Sequence, residues 1–336
     1  MSRAHTGSPV DGIDILLADL DGVIYRGGEE IPYAVESINA VGQATKVAYI
    51  TNNASRTDRD VAAHLTSLGL SVEADQVVTS PQAAVRLLGD LVPIGSMILV
   101  VGGDGVVDEL VKAGYRVTRS GLDEPAAVLQ GFSPMVGWEQ LAEASFTLGA
   151  QARNEIPWVA TNTDWTIPQA RGTAPGNGTL VSAVHTATGR LPIVAGKPEG
   201  PIFKEALARF GATTALMVGD RLDTDILGAN RAGISSALVL TGIDQAKQVL
   251  AAVGQERPGF IIADLRGLRE PYPETDTYTR GSVVHTRVGR AIVRQDGNRL
   301  TAASGSGIDL LRAAAAAIWN SGSAIYALDV APELYS

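Results

Sequence analysis

Short apolar runs that stop abruptly at polar clusters restrict the fold of this chain more than any other feature of its sequence. Runs this short, without polar alternation, are typical of strands buried on both faces of a parallel sheet. Amphipathic helical patterns separate the runs, and this order predicts an α/β fold with a doubly wound parallel sheet and right-handed crossovers. The apolar runs are residues 13–18, 46–50, 213–218 and 237–240, and the helical patterns are residues 33–41, 59–68, 200–210 and 225–232.

A second block of alternating elements interrupts the first. Residues 80–191 have a length that can bury a core of its own, so we predict a large α/β domain inserted into a core made of residues 11–79 and 192–269. Within this block the apolar runs are residues 97–101, 126–129 and 158–160, and the helical patterns are residues 139–153 and 180–188.

The end of the chain is predicted to form a small C-terminal α+β module, residues 282–336. Residues 270–281 are acidic, contain proline and lack periodicity, which is typical of a linker. Residues 282–301 have the pattern of a hairpin turning at 296–298, and an Ala-rich helix follows. A module this short buries little area alone, so we expect it to pack on the rest of the chain or on a second subunit.

Composition excludes several classes of protein. The chain has no cysteine, which rules out disulfides, thiol catalysis, zinc-thiolate sites and iron-sulfur clusters. Its formal net charge is -9 and no long basic run occurs, so we expect no nucleic-acid partner. The sequence also lacks the basic start and apolar core of a leader and any run long enough to span a bilayer, so we expect a cytoplasmic protein without a membrane partner.

Acidic residues follow two of the apolar runs directly, at the end of a parallel strand where ligands bind. The first run ends in Asp19-Leu20-Asp21-Gly22, where a glycine-aided bend can turn two carboxylates toward one site. Alone, such a motif is as often a solvated turn. The later run ends at Asp220, with Asp225 shortly after it, and oxygen ligands of this kind suit magnesium.

Hydroxyl, amide and ammonium groups follow the other strand ends. Thr51-Asn52-Asn53 ends the second run ahead of a helix, and such donors can form an anion cradle or an ordinary N-cap cluster. Lys197 lies between a glycine and a proline just before another helix. Its ammonium is a point charge suited to phosphate, although a surface lysine is the simpler interpretation of this residue alone.

In this order, each after a buried strand, the four clusters resemble the four motifs of the haloacid dehalogenase superfamily of phosphatases. The resemblance covers about residues 14–268 and is strongest to the p-nitrophenylphosphatase-like branch, which includes glycerol-3-phosphate, phosphoglycolate and pyridoxal phosphate phosphatases. It implies magnesium-dependent hydrolysis of a small phosphomonoester through an aspartyl-phosphate intermediate. The motifs that carry it are Asp19-Leu20-Asp21-Gly22, Thr51-Asn52-Asn53, Gly196-Lys197-Pro198 and Gly219-Asp220-Arg221 through Thr224-Asp225-Ile226.

The resemblance also implies a role for each residue. Dehalogenases lack an acid at the position of Asp21, so its presence favours phosphate ester hydrolysis. We expect Asp225 to orient Asp220 or Lys197 rather than to bind the metal, because outer carboxylates commonly hold metal ligands in place. The implied roles are Asp19 as nucleophile, Asp21 as general acid/base, Thr51, Asn52, Asn53 and Lys197 as phosphate ligands, and Asp19, Asp21 and Asp220 as ligands of Mg²⁺.

Substrate choice is expected to come from the inserted domain, acting as a cap over the strand ends. Residues 161–168 resemble the specificity loop of the family, and within them Trp165 either contacts substrate or packs at the edge of the cap. Asp164 can accept a hydroxyl and would repel a second carboxylate, which favours glycerol 3-phosphate over phosphoglycolate. Phosphoglycolate, pyridoxal phosphate and nucleotide phosphatases remain alternatives within enzymes.

Two further alternatives are open on the sequence. A phosphometabolite-binding protein would need Thr51, Asn52 and Lys197 but not the paired aspartates. The C-terminal module distantly resembles half of a GCN5-type acetyltransferase fold, but its helix is entered through Ser-Gly-Ser-Gly at 304–307, without the basic or amide residue of an acyl-CoA loop. We therefore predict no acyl transfer. A homo-oligomer through the cap or this module stays open.

Overall fold

Strands and helices alternate along the chain, as the sequence predicts. The structure, a computed structural model, describes residues 7–149, 155–169 and 171–335. Its strands are β1 Ile15–Ala18, β2 Tyr25–Arg26, β3 Glu29–Glu30, β4 Lys46–Thr51, β5 Val77–Thr79, β6 Met97–Val101, β7 Arg116–Thr118, β8 Ala127–Gln130, β9 Trp158–Ala160, β10 Thr166–Gln169, β11 Gly172–Pro175, β12 Ile193–Val194, β13 Ala215–Gly219, β14 Ser235–Val239, β15 Phe260–Ile262, β16 Thr275–Arg280, β17 Val283–Val288, β18 Ala291–Asp296, β19 Arg299–Ser304 and β20 Asp329–Val330.

The helices fall between these strands, and none of those in the described ranges has the length and apolarity needed to cross a bilayer. The α-helices are α1 Ala34–Gly42, α2 Asp58–Ser67, α3 Ser80–Gly89, α4 Asp104–Lys112, α5 Trp138–Leu148, α6 Asn177–Thr188, α7 Gly200–Phe210, α8 Leu227–Ala232, α9 Ala246–Ala251 and α10 Ile308–Asn320.

Contacts divide the chain into two compact units, the first made of Met1–Val47 and Thr214–Ser336 and the second of Ala48–Thr213. The predicted limits of the inserted domain, residues 80 and 191, both fall inside the second unit. Those limits stay a prediction, and the two units are described separately below.

The first unit contains four parallel strands in the order β15-β14-β13-β1. All four residues of β1 and all five of β13 are buried, which explains why their sequences show no polar alternation. The register places Ala18 opposite Val218, and the N–H of Asp19 donates to Val218 O at 2.9 Å. The residues that follow β1 and β13 therefore emerge side by side at one edge of the sheet.

The C-terminal module also belongs to the first unit. Strands β16 to β19 form an antiparallel meander, β20 adds to β19 in parallel, and α10 packs against β17 and β18. Its apolar residues share one hydrophobic cluster with α9, β14 and β15. We expected this module to pack on the rest of the chain or on a second subunit, and the structure shows it packed on α9, β14 and β15 of the same chain. The shared residues include Leu238, Val249, Leu250, Ile261, Val293, Leu300, Leu310, Ala314 and Ile318.

The predicted linker at residues 270–281 is partly wrong, because 275–280 form strand β16. This strand has the sequence TDTYTR and is largely exposed. Its charged residues led to the linker prediction, although threonine and tyrosine favour strands. Tyr278 stacks on His285 of the next strand at a ring distance of 5.1 Å. Residues 282–301, predicted as one hairpin, belong to the three strands β17, β18 and β19, because a further turn at 289–290 separates β17 from β18. The predicted turn at 296–298 lies between β18 and β19, where the structure has a turn at 297–298.

Two side chains join the C-terminal residues to the edge strand β15. The N–H of Ile261 donates to the Tyr272 hydroxyl at 3.0 Å, and Arg312 Nε donates to Ile261 O at 2.9 Å. The Arg312 guanidinium also lies 4.4 Å from the centre of the Tyr272 ring. The outward polar groups of Ile261 are thus satisfied by side chains instead of a further strand.

The second unit contains the parallel pair β4-β5 and a five-stranded parallel sheet in the order β12-β9-β8-β6-β7. One apolar cluster packs α5 and α6 on this sheet and includes Leu99, Val128, Trp158 and Val181. The predicted helix 139–153 begins at Trp138 and ends at Leu148, and positions 150–154 lie outside the described residues. Parallel sheets flanked by helices confirm the predicted α/β class.

Candidate active site

Three aspartates of the first unit bring their carboxylates together at the edge of the sheet. Asp19, Asp220 and Asp225 each offer one oxygen, and these oxygens all lie within 4.8 Å of one another. Their exposed fractions are 9%, 2% and 1%. Buried carboxylates this close repel one another unless a proton or a cation compensates their charge. The all-oxygen donor set fits a hard divalent cation such as Mg²⁺.

Asp220 is fixed by backbone groups on several sides. The N–H of Ile243 donates to Asp220 Oδ2 at 2.7 Å, and the N–H of Asp244 donates to the Asp220 carbonyl at 3.0 Å. A Cβ added to Gly22 or to Gly242 would overlap the Asp220 carboxylate. Gly22 has a φ of 80°, so the predicted glycine-aided bend after Asp21 is present. Only glycine fits at both positions without moving Asp220.

Asp225 lies closer to the other carboxylates than a purely outer position requires. It is part of a π-helical turn, Leu222–Ile226, that precedes α8. One of its oxygens accepts the N–H of Arg221 at 3.1 Å, and a Cβ on Gly219 would overlap its side chain. The geometry makes Asp225 a candidate ligand beside Asp19 and Asp220, and its expected orienting role stays a prediction.

Asp21 is placed differently from these three residues. It is exposed, forms an isolated parallel bridge with Tyr25, and lies in the bend where Gly22 N–H donates to Tyr25 O at 2.9 Å. Within the described ranges its carboxylate is not a member of the three-aspartate cluster. An exposed carboxyl is suited to exchanging protons with substrate and water. Its expected contact with the metal stays a prediction.

The loop after β14, residues 241–244, was missed by sequence reasoning. The Thr241 hydroxyl donates to Gly22 O at 2.8 Å, and the Arg26 guanidinium donates to Thr241 O. Asp244 accepts the N–H of Leu222 at 2.7 Å, and burial raises the pKa of its carboxyl. The sequence did contain a signal for this loop, because the apolar run 237–240 also stops at a polar cluster.

Thr51 and Lys197 of the second unit offer donors for an anion. Thr51 ends β4, is buried, and its oxygen accepts the N–H of Asn53 at 3.1 Å, so its own hydroxyl proton is available for donation. Lys197 is 4% exposed and its Nζ lies 3.5 Å from Ile50 O. A buried ammonium is costly unless an anionic partner compensates it.

Asn52 uses its side chain within the protein. Its Oδ1 accepts the N–H of Lys197 at 2.8 Å, and its Nδ2 donates to Lys197 O at 3.0 Å and to Asp164 Oδ1 at 3.1 Å. Both amide hydrogens are therefore engaged, and a phosphate contact of Asn52 is left to its backbone. The Asn53 side chain accepts from the N–H and hydroxyl of Ser55, at 2.9 and 2.7 Å, which closes the following turn.

The two cap residues singled out in the sequence have different environments. Asp164 is partly buried and contacts Asn52, as described above. Trp165 is 65% exposed, so it does not have the buried position of a packing residue. Its backbone oxygen accepts the Thr179 hydroxyl at 2.8 Å and the Gly176 N–H, also at 2.8 Å. The loop is held through its backbone, which leaves the indole exposed.

Comparison with known proteins shows the class of the chain. Residues 16–116 match the haloacid dehalogenase-like hydrolase family model, and residues 194–268 match the HAD-hydrolase-like model. The chain is 45% identical over 257 residues to D-glycerol 3-phosphate phosphatase of Mycobacterium tuberculosis, covering 76% of this chain and 71% of that protein. The chain is therefore a member of the haloacid dehalogenase-like hydrolases, as its motif order predicts.

Two solved structures cover different shares of this chain. The glycerol phosphate phosphatase of Mycobacterium tuberculosis in complex with magnesium matches with a TM-score of 0.83 and 38% identity, covering 97% of this chain and 96% of that one. The p-nitrophenyl phosphatase of Archaeoglobus fulgidus matches with a TM-score of 0.70 and 27% identity, covering 76% of this chain and 98% of that one. The second match leaves about a quarter of this chain without a counterpart.

Proposed function

We propose that this chain hydrolyses glycerol 3-phosphate to glycerol and phosphate in a magnesium-dependent reaction. The buried cluster of Asp19, Asp220 and Asp225 supports the chemistry, because its oxygen donors suit Mg²⁺ and its residues lie within the segments that match the family models. The substrate is supported by the 45% identical relative that is named for it. A protein that only bound a phosphorylated metabolite would not need this carboxylate cluster.

The reaction proceeds in two displacements at phosphorus. A carboxylate oxygen of Asp19 attacks the phosphorus, the bond from phosphorus to the glycerol oxygen breaks, and protonated Asp21 gives its proton to the leaving alkoxide. Asp21 then takes a proton from water, whose oxygen attacks the aspartyl-phosphate and releases inorganic phosphate and the Asp19 carboxylate. The exposure of Asp21 is consistent with proton exchange at both steps.

Charge compensation decides whether this attack can happen. A carboxylate and a phosphate dianion repel each other, so the nucleophile requires positive charge near the equatorial oxygens. Lys197 supplies one such charge and the Thr51 hydroxyl supplies a hydrogen bond. Asp19, Asp21 and Asp220, with Asp225 adjacent, would hold a magnesium ion, which would supply further neutralisation.

Recognition of the glycerol group is assigned to the cap loop. The exposed indole of Trp165 is available to a leaving group. We also propose a cytoplasmic location, which the absence of cysteine supports.

A phosphate-release screen tests the proposal directly. We expect magnesium-dependent release from glycerol 3-phosphate with a higher kcat/KM than from phosphoglycolate, pyridoxal phosphate, a nucleoside monophosphate or p-nitrophenyl phosphate. Trp165→Ala should change kcat/KM unequally among these esters, because only contacts to the leaving group differ between them. Phosphate binding without release from any ester would instead identify a binding protein. Equal losses on all esters would show that Trp165 only holds the loop.

A further inference from the structure

One asparagine holds the backbone of the phosphate-binding lysine from both sides. Asn52 Oδ1 accepts the N–H of Lys197, and Asn52 Nδ2 donates to the carbonyl of the same residue, at 2.8 and 3.0 Å. Gly196 has no room for a side chain here, since a Cβ would lie 2.5 Å from Asn52 Oδ1. Because Asn52 directly follows Thr51, this pair of hydrogen bonds fixes the start of the lysine side chain relative to the Thr51 hydroxyl.

The orientation of the Asn52 amide determines whether both bonds can form. Rotating the amide by half a turn would place its oxygen against Lys197 O and its N–H against the N–H of Lys197. Asp164 opposes that rotation, because its Oδ1 accepts the remaining Nδ2 hydrogen at 3.1 Å and a carboxylate would repel the amide oxygen. The Asp164 carboxylate therefore favours the amide orientation that holds Lys197.

The loop around Asp164 holds the backbone of this residue in place. The N–H of Asp164 donates to Asn162 Oδ1 at 3.1 Å, and its carbonyl accepts the N–H of Gly178 at 2.9 Å. Asn162 in turn donates from Nδ2 to the backbone oxygen of Asn52 at 2.7 Å. A Cβ on Gly176 would overlap the Asp164 carbonyl, so the approach of α6 to this loop requires a residue without a side chain. The position of Asp164 is thus set by several independent contacts.

We propose that Asp164 is a positioning residue for the phosphate group: it orients the Asn52 amide, which places Lys197. This inference rests on the proposed phosphatase function and adds a role that a contact with the leaving group would not give. A residue that reads the leaving group affects esters selectively. A residue that places Lys197 affects the phosphate group common to all esters and to the inorganic phosphate product.

The test compares Asp164→Ala, Asp164→Asn and the matched control Glu139→Ala, which removes an exposed carboxylate from the same unit. Inorganic phosphate is titrated calorimetrically into each magnesium-loaded variant, and kcat/KM is measured on glycerol 3-phosphate and p-nitrophenyl phosphate. Loss of one hydrogen bond to a partly buried amide predicts that Asp164→Ala weakens phosphate binding about tenfold and lowers both kcat/KM values by a similar factor. Asp164→Asn keeps an acceptor for Asn52 and should stay within about threefold of wild type. The control should match wild type.

A second comparison separates positioning from a general loss of structure. In an Asn52→Ser background the amide is gone, so Asp164→Ala should weaken phosphate binding by less than about twofold, whereas independent effects would multiply. Melting temperatures identify any variant that fails to fold. If Asp164→Ala fails to fold, the phosphate affinity of Asp164→Asn, expected to be close to that of wild type, tests the proposal instead.

The results that overturn the proposal are distinct from those that overturn the substrate. Unchanged phosphate affinity in Asp164→Ala, with a loss confined to glycerol 3-phosphate, would make Asp164 a leaving-group contact. An equal loss in Asp164→Asn and Asp164→Ala would show that charge, and not the acceptor for Asn52, is what matters. If the wild-type enzyme hydrolysed p-nitrophenyl phosphate but not glycerol 3-phosphate, the proposed substrate would be wrong and the proposed role of Asp164 would be unaffected.

Discussion

The three-aspartate cluster of the first unit and the Asn52-Lys197 group of the second unit solve opposite electrostatic problems. The cluster concentrates buried negative charge, and rigid backbone N–H groups and glycines hold it in place. The Lys197 group buries a positive charge, and a neutral amide with a carboxylate behind it sets its position. Backbone groups therefore fix the carboxylates of the cluster, whereas side chains that substitutions can tune fix the position of Lys197.

The largest expected effect comes from changing Asp19, the proposed nucleophile. Asp19→Asn keeps nearly the same shape but supplies an amide that cannot attack phosphorus, so phosphate release should fall by about 10⁴-fold or more while the fold persists. Rates of phosphate release and a thermal melt of the same sample check this. Turnover at the wild-type rate would show that the aspartate cluster is not the reacting group.

Removing a proposed metal ligand should have the next largest effect. Asp220→Ala should weaken Mg²⁺ binding and lower kcat by roughly 10²-fold, because the cation offsets repulsion between nucleophile and phosphate. The check is activity against Mg²⁺ concentration, with a chelator as the limit in wild type. Equal activity with and without Mg²⁺ would show that the cluster does not hold a catalytic cation.

A steric change at Gly242 should weaken magnesium binding less than the loss of Asp220. In Gly242→Ala the new Cβ overlaps the Asp220 carboxylate, so the Mg²⁺ concentration for half-maximal activity should rise about tenfold. Gly28→Ala is the matched control, because nothing lies within 4 Å of its new Cβ. If both variants titrate with Mg²⁺ like wild type, the close approach at Gly242 has no part in placing Asp220.

The C-terminal module should affect turnover least. Truncation after Gly267 uncovers the apolar face shared by α9 and β15, so the melting temperature should fall on the order of 10 °C, as expected for a loss of several kcal/mol. The kcat per folded molecule should change by less than about threefold, since both groups compared above lie outside the removed segment. Titration of the full chain with acetyl-CoA should give no saturable signal. A loss of kcat without a loss of stability, or tight acetyl-CoA binding, would give the module a direct functional role.

The sequence was most informative where burial is complete. The runs at β1 and β13 have no polar alternation because both faces of each strand are covered, and this made the strand ends and their aspartates predictable. The exposed strand β16 was missed because its charged residues face solvent and no apolar periodicity marks it. Burial creates the pattern that sequence reasoning depends on.

Partners of polar side chains were the part that the sequence could not provide. Asn52 was predicted as a phosphate ligand because of its amide and its position after a strand. Its amide instead bonds to Lys197 and Asp164, which lie 145 and 112 positions further along the chain. Hydrogen bonds across such separations depend on the folded arrangement and leave no local pattern. The same holds for the N–H of Ile243, which reaches Asp220 from the loop after β14.

The contacts of Tyr272 and Arg312 with β15 bear on how the protein behaves at high concentration. A strand with an open edge offers unpaired N–H and C=O groups on which strands of other molecules can assemble into aggregates. Here the outward groups of Ile261 are already engaged by a phenol and a guanidinium, neither of which can propagate a ladder. The last part of the chain therefore acts as a barrier to intermolecular strand addition.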